Sequence, residues 1–230
     1  MALAKSMAAI DILSGGRLVV GVGPGSSARD YDAASVPFEE RWKRLDEAVG
    51  ALRALWCEDG RHLRAITIRP KACWQSRGRY GNRVLRYGSA AGAQKPASVG
   101  RTARLGDGWL ASAYNTTPEA FADAKSRLGK HLKTAGKNPD RFPNAIATMF
   151  FHVTEDHAAA DHIFMDALTS MLRRPAEELR QRLLIGPAGT CAEKLDAYLS
   201  AGVQRIMLWP VKDELRQLQA FHELVVPRRA

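Results

Sequence analysis

Residues 3–25 read "LAKSMAAIDILSGGRLVVGVGPG". Leu3, Met7, Ile10 and Leu13 recur at helical spacing, so the first half is expected to be an amphipathic helix over residues 3–13 with that stripe facing the core. Ser14-Gly15-Gly16 ends it, because glycine takes up the left-handed cap conformation at no steric cost. A short β-branched run then ends in alternating glycines, Gly21, Gly23 and Gly25. Such a run is expected to be a buried strand of a parallel sheet. The glycines are not the dinucleotide fingerprint: no helix opens directly after them, and the G-x-G-x-x-G spacing is absent.

The same alternation continues along the chain. A polar loop over 24–37 leads to "PFEERWKRLDEAVGALRALW" (37–56), with acids in its first turn and apolar residues at Trp42, Leu45, Val49, Leu52 and Leu55. That pattern is an amphipathic helix. "GDGWLAS" (106–112) is a short strand. Thr117 then caps a helix that has Pro118 at its first position and Gly136 at its end. "AIATMFFHVTED" (145–156) is a buried strand, followed by helices over 157–172 and 175–184. "GPAGTCAEKLDAYLSAG" (186–202) is a helix, "VQRIMLWPV" (203–211) a strand, and 212–229 a last helix. Strands alternating with helices imply a parallel α/β sheet.

The chain has 230 residues, no apolar run long enough to span a bilayer, and an N-terminus that does not read as a signal peptide. Cys57, Cys73 and Cys191 form neither a metal-binding spacing nor a disulfide framework, so a reducing cytoplasm is expected. Net charge is +10, but it is unevenly spread. Residues 61–104 hold eleven Lys or Arg and no acid, leaving 23 basic against 24 acidic residues elsewhere. A nucleic-acid-binding module could be built on such a segment, although no recognition motif accompanies it.

Four stretches carry a family likeness. They are residues 3–25, 37–56, "ARLGDGWLAS" (103–112) and "GPAGTCAEKLDAYLSAGVQRIMLWP" (186–210). In order and spacing they resemble the bacterial luciferase-like flavin-dependent oxidoreductases, over most of 2–70 and 101–225. Ser14-Gly15-Gly16-Arg17 before the strand and Gly21-x-Gly23 after it are the most specific part. The resemblance implies a (β/α)₈ barrel with the cofactor at the C-terminal ends of the strands. It implies FMN or a deazaflavin of the coenzyme F420 type, a small organic substrate, and either hydride transfer or oxygen insertion. It also implies about three strand–helix units before the opening helix, so the chain is expected to be an incomplete barrel. Its exposed interior would then be a liability, which self-association could cover.

The candidate cofactor-binding residues are Gly21, Gly23, Gly25, Asp107, Gly108 and Trp109. The glycines would let backbone approach the flavin or its phosphate, or else serve as turn glycines. Asp107 could hold a turn, and Trp109 could pack in the core or near a flavin ring. His152, in "MFFHV", could face the barrel mouth as a proton donor or phosphate ligand, or be a satisfied core or edge histidine. Trp209-Pro210 closes the last strand, in a pocket or a structural role. Glu39-Glu40 and Asp46-Glu47 share a helix with Arg41, Lys43 and Arg44 and are expected to form a solvated face. No catalytic residue or metal ligand stands out. In a flavoenzyme the cofactor carries the redox chemistry, so a missing acid–base motif is no argument against an enzyme.

Between "TIRPK" (67–71) and "ARLGDGW" the likeness breaks. The family shows a Pro-Pro, an "IWIGG"-like strand and a helix entered through small residues. Reading the last base of each codon with the first two of the next permits "PPIWIGSWGSEAGLRR" over Val84–Gly100. Two compensating frameshifts, near Ala72 and Gly100, would explain both the break and the charge of residues 72–100. The restored stretch would place backbone N–H groups at a helix N-terminus, where they suit a cofactor phosphate. The segment as written lacks the pattern of a buried barrel strand. An inactive, truncated remnant of such an enzyme is the alternative reading.

Overall fold

A computed structural model describes residues 1–56, 88–89 and 96–228. Most of the 72–100 segment therefore lies outside the described residues. The opening stretch forms helix α1 (Ala2–Leu13) and strand β1 (Gly21–Val22). Ser14 N donates to Ile10 O and Gly16 N to Asp11 O, and Gly15 and Gly16 both take positive φ, as the cap requires. The expected inward stripe is a correction. Leu3, Ile10 and Leu13 are 58%, 51% and 87% exposed, and only Ala4 of this helix is buried. Small Ala4 faces inward because α1 packs closely on α3 (Arg41–Trp56), where the Trp56 indole donates to Ala4 O at 3.0 Å.

The loop expected over 24–37 contains a short helix, α2 (Ala28–Ala33), capped by Ser27, whose hydroxyl accepts from Asp30 N at 3.3 Å. Helix α4 (Pro96–Leu105) packs against α5 (Pro118–Thr134). Asp46 of α3 is not simply solvated: its carboxylate takes Arg101 of α4 at 2.7 Å and Arg104 at 3.9 Å. Two of the eleven clustered cations therefore bind helix to helix.

Six parallel strands are described. β1 pairs with β2 (Gly88–Ser89) through Gly21–Gly88 and Val22–Ser89. The written basic segment thus does supply a short strand, at the place where the family's missing strand is expected. The other sheet is organised by β4 (Asn144–Val153). Its first four residues pair with β3 (Trp109–Ser112), and its last three with β5 (Leu184–Gly186), a strand the sequence reading missed. β6 (Ile206–Pro210) runs along residues 146–151. Ile146 partners both Ala111 and Ile206, and Phe151 both Leu184 and Pro210, so β3 and β5 share one edge and β6 holds the other.

β4 carries a bulge: Ile146–Met149 spans three steps against two on β6, and Thr148 has φ +55°. The extra residue changes the alternation, so Ile146, Met149, Phe151 and Val153 all face one side. That side is the core. Trp109 stacks on Phe121 of α5 at 4.4 Å, Phe151 meets Phe221 edge-on, and Met149, Phe151 and Phe121 are fully buried. Helix α6 (His157–His162) runs through a π-helical Ile163–Leu168 into α7 (Thr169–Leu172), with the Thr169 hydroxyl donating to Phe164 O at 2.7 Å. α8 (Ala176–Arg182), α9 (Ala188–Ser200) and α10 (Glu214–Ala220) complete the helical layer. The Tyr198 hydroxyl of α9 lies 2.7 Å from Thr116 O and 2.9 Å from Arg182 O, and burial pushes its pKa well up.

Candidate functional site

The six candidate cofactor residues separate into two groups. Gly21 begins the two-residue strand β1, Gly23 and Gly25 follow it, and all three are exposed. A Cβ on Gly21 would come 3.1 Å from Leu110 Cδ2, so the missing side chain leaves room beside β3. Gly25 has φ +75°, and its turn is held by Tyr31, whose hydroxyl donates to Pro24 O. Its glycine is thus required by the turn itself.

Asp107, Gly108 and Trp109 lie at the other end, where chain enters β3. There Asp107 takes Arg53 of α3 at 2.6 Å, and Lys137 Nζ donates to Gly106 O at 2.7 Å. Burial is the main cause that lowers the Lys137 pKa, with Asp107 opposing it. Trp109 is a core residue. In a barrel, the N-terminal ends of strands serve stability and the C-terminal ends serve chemistry. The contacts of these three residues are of the first kind.

The sheet face opposite the helices has a different character. Paired residues of neighbouring strands project to the same side. Phe150 and Trp209 are such a pair, with ring centroids 5.8 Å apart and planes at 79°. Two residues along, Met207 and His152 join them on this face. Trp209 is 49% and Met207 43% exposed, so the face is apolar and open. His152 is buried at its upper edge, beside the loop Val211–Asp213. Its Nδ1 is closed to solvent and has no hydrogen-bond partner. Its pKa is lowered, first by burial and then by Lys212, with Asp213 opposing and Arg216 adding. It is therefore not the satisfied core histidine that was one of its two readings. Asp213 caps α10 at φ +52° without a side-chain cap bond, a strained position directly after β6.

The β4–β6 face thus combines an open apolar surface, an aromatic pair and, at its edge, one imidazole nitrogen without a partner, while the glycines of β1 belong to the other sheet. Among the described residues no cluster of His, Cys, Asp or Glu could hold a metal ion, and no helix is long and apolar enough to cross a membrane.

The sequence profile of the luciferase-like monooxygenases matches residues 1–205. The chain belongs to that family. Among curated proteins it is 25% identical to an F420-dependent glucose-6-phosphate dehydrogenase of Nocardia farcinica, over 98% of this chain and 73% of that protein. It is 28% identical to a 5,10-methylenetetrahydromethanopterin reductase of Archaeoglobus fulgidus, over 67% of this chain and 45% of that one. The solved structure of an F420-dependent secondary alcohol dehydrogenase with an F420-acetone adduct superposes with a TM-score of 0.79 at 16% identity. It covers all of this chain and 74% of its own. Monooxygenase RslO1 from Streptomyces bottropensis gives 0.77 at 23% identity, with the same coverage of each chain. These likenesses establish the α/β fold as that of the luciferase-like barrel. Within this fold Gly23 follows β1, and His152 and Trp209 are the next-to-last residues of β4 and β6.

Proposed function

We propose that the chain is a deazaflavin-dependent oxidoreductase that moves hydride between F420 and a small organic substrate. The observation that carries this reading is the open face of β4 and β6, apolar and aromatic, at the C-terminal ends of the strands. The F420-dependent relatives support the choice of cofactor over FMN. F420 would supply the hydride acceptor or donor. The chain's own part is to hold the ring system against Gly21 and the Phe150–Trp209 pair, to orient it, and to exclude water with Met207 and Leu110. None of these residues carries charge, and their apolar and aromatic surface suits the face of a planar aromatic ring system. Equilibrium dialysis of the purified chain against F420 and against FMN tests the reading. Saturable F420 binding with weaker FMN binding is expected; FMN retention without F420 binding would contradict it.

Residues 72–100 support a second, separate proposal, resting on the break in the family pattern there and on five cations with no acid. Compensating frameshifts near Ala72 and Gly100 would make the written segment a misread strand and helix entry. Resequencing the gene from codon 60 to codon 110 decides it: a frame giving "PPIWIGSWGSEAGLRR" is expected, and an unchanged frame ends the idea.

A further inference from the structure

The unpartnered histidine and the aromatic pair beside it allow a step beyond cofactor class. A neutral imidazole has one N–H and one lone pair. Nδ1 of His152 is closed to solvent without a partner. Burying an orphaned N–H is rarer in folded proteins than leaving an acceptor under-satisfied. An unpartnered Nδ1 therefore favours the lone pair there and the proton on Nε2. The charged neighbours Lys212, Asp213 and Arg216 all stand on the loop and helix after β6, and all are exposed. The face itself, Phe150, Met207 and Trp209, bears no charge.

We propose that His152 presents Nε2–H to the oxygen of an uncharged substrate, and that Phe150, Met207 and Trp209 receive that substrate's apolar or aromatic body. The chemical class is a neutral carbonyl compound or the matching alcohol, and a phosphorylated or carboxylated substrate is excluded from this face. The proposal rests on the oxidoreductase reading above. It makes His152 a binding and positioning group. Phe150, Met207 and Trp209 offer a charged group no cation to pair with, and burying its charge against Trp209 and Met207 would be costly. A carbonyl oxygen needs a donor; the face carries the His152 imidazole and the half-exposed Trp209 indole N–H. The rim cations Lys212 and Arg216 are exposed on the loop and helix after β6, with Asp213 and Glu214 beside them in sequence.

Two measurements test it. Nitrogen NMR of the chain labelled at histidine reads the tautomer without any ligand. At a pH above the ordinary histidine value, His152 is expected as the Nε2–H tautomer; an Nδ1–H tautomer there overturns the proposal. The second adds acetophenone as the neutral probe and glucose 6-phosphate as the anionic one, with and without F420. Acetophenone is expected to shift the His152 Nε2 and Trp209 indole signals, and glucose 6-phosphate to leave them in place. His152→Gln keeps an N–H donor and is expected to retain binding, whereas His152→Phe should bind acetophenone roughly tenfold more weakly, the cost of one hydrogen bond. Equal binding by all three, or a response to glucose 6-phosphate alone, overturns it. F420 dialysis is read separately, so loss of cofactor binding with the tautomer and probe shifts intact counts against the oxidoreductase reading alone.

Discussion

Gly108 shows how a residue can look functional in sequence and be structural in space. It stands in a glycine-rich strand entry, but a Cβ there would come 3.1 Å from Pro143 O and 3.2 Å from Pro143 Cγ. Backbone cannot yield as a flexible side chain can. Gly108→Ala is therefore expected to destabilise the fold by about 1–3 kcal/mol, the usual cost of overpacking, read as a lower denaturant midpoint with cofactor affinity unchanged. His152 is the converse case. Sequence left it between a core and a mouth position, because period-two alternation gives a face but not hydrogen-bond partners. Its pKa lies below that of the unfolded chain, so the unfolded state binds the extra proton between the two values. Stability from this group is fully present above the ordinary histidine value, and is lost as pH falls from there through the lowered value. His152→Gln is expected to remove that part of the acid slope in a stability-versus-pH series; an unaltered slope would show that His152 is not buried neutral.

At the scale of elements, patterning was legible wherever a local signal and packing agreed. Thr117 caps α5 as expected, accepting from Ala120 N at 3.2 Å, with Pro118 at the first position. The strands beginning near Trp109, Asn144 and Ile206 were read from their apolar runs. β5 was missed because Leu184–Gly186 is three residues long and fully buried, too short for a period to show. The stripe of α1 misled for a different reason. Its spacing is helical and apolar, but the close approach of α3 selects Ala4, and no periodicity encodes that distance. The core depends on the α5–β3 contact. Trp109→Ala removes the ring stacked on Phe121 and is expected to cost about 3–5 kcal/mol, measured by chemical denaturation. A cost under about 1 kcal/mol would mean that α5 docks without it.

For the whole molecule, family membership was readable from four separated stretches, and the barrel-type parallel sheet follows them. The polarity of the site was not. Sequence gathered Gly21, Gly23, Gly25, Asp107, Gly108 and Trp109 into one candidate set because all lie at strand ends in glycine-rich stretches. It could not show that Gly23 and Gly25 follow a strand, that Asp107 and Gly108 precede one, and that Gly21 and Trp109 each begin one. Only the folded sheet separates them, and only there do Trp209 and His152 share an open face. The central claim is that ligands bind at the C-terminal ends of these strands. Hydrogen–deuterium exchange of the chain with and without F420 tests it most directly. Protection is predicted in residues 21–25 and 209–213, with residues 106–109 and 137 unchanged. Protection confined to 106–109 and 137 would place the cofactor at the opposite end of the sheet and contradict the account.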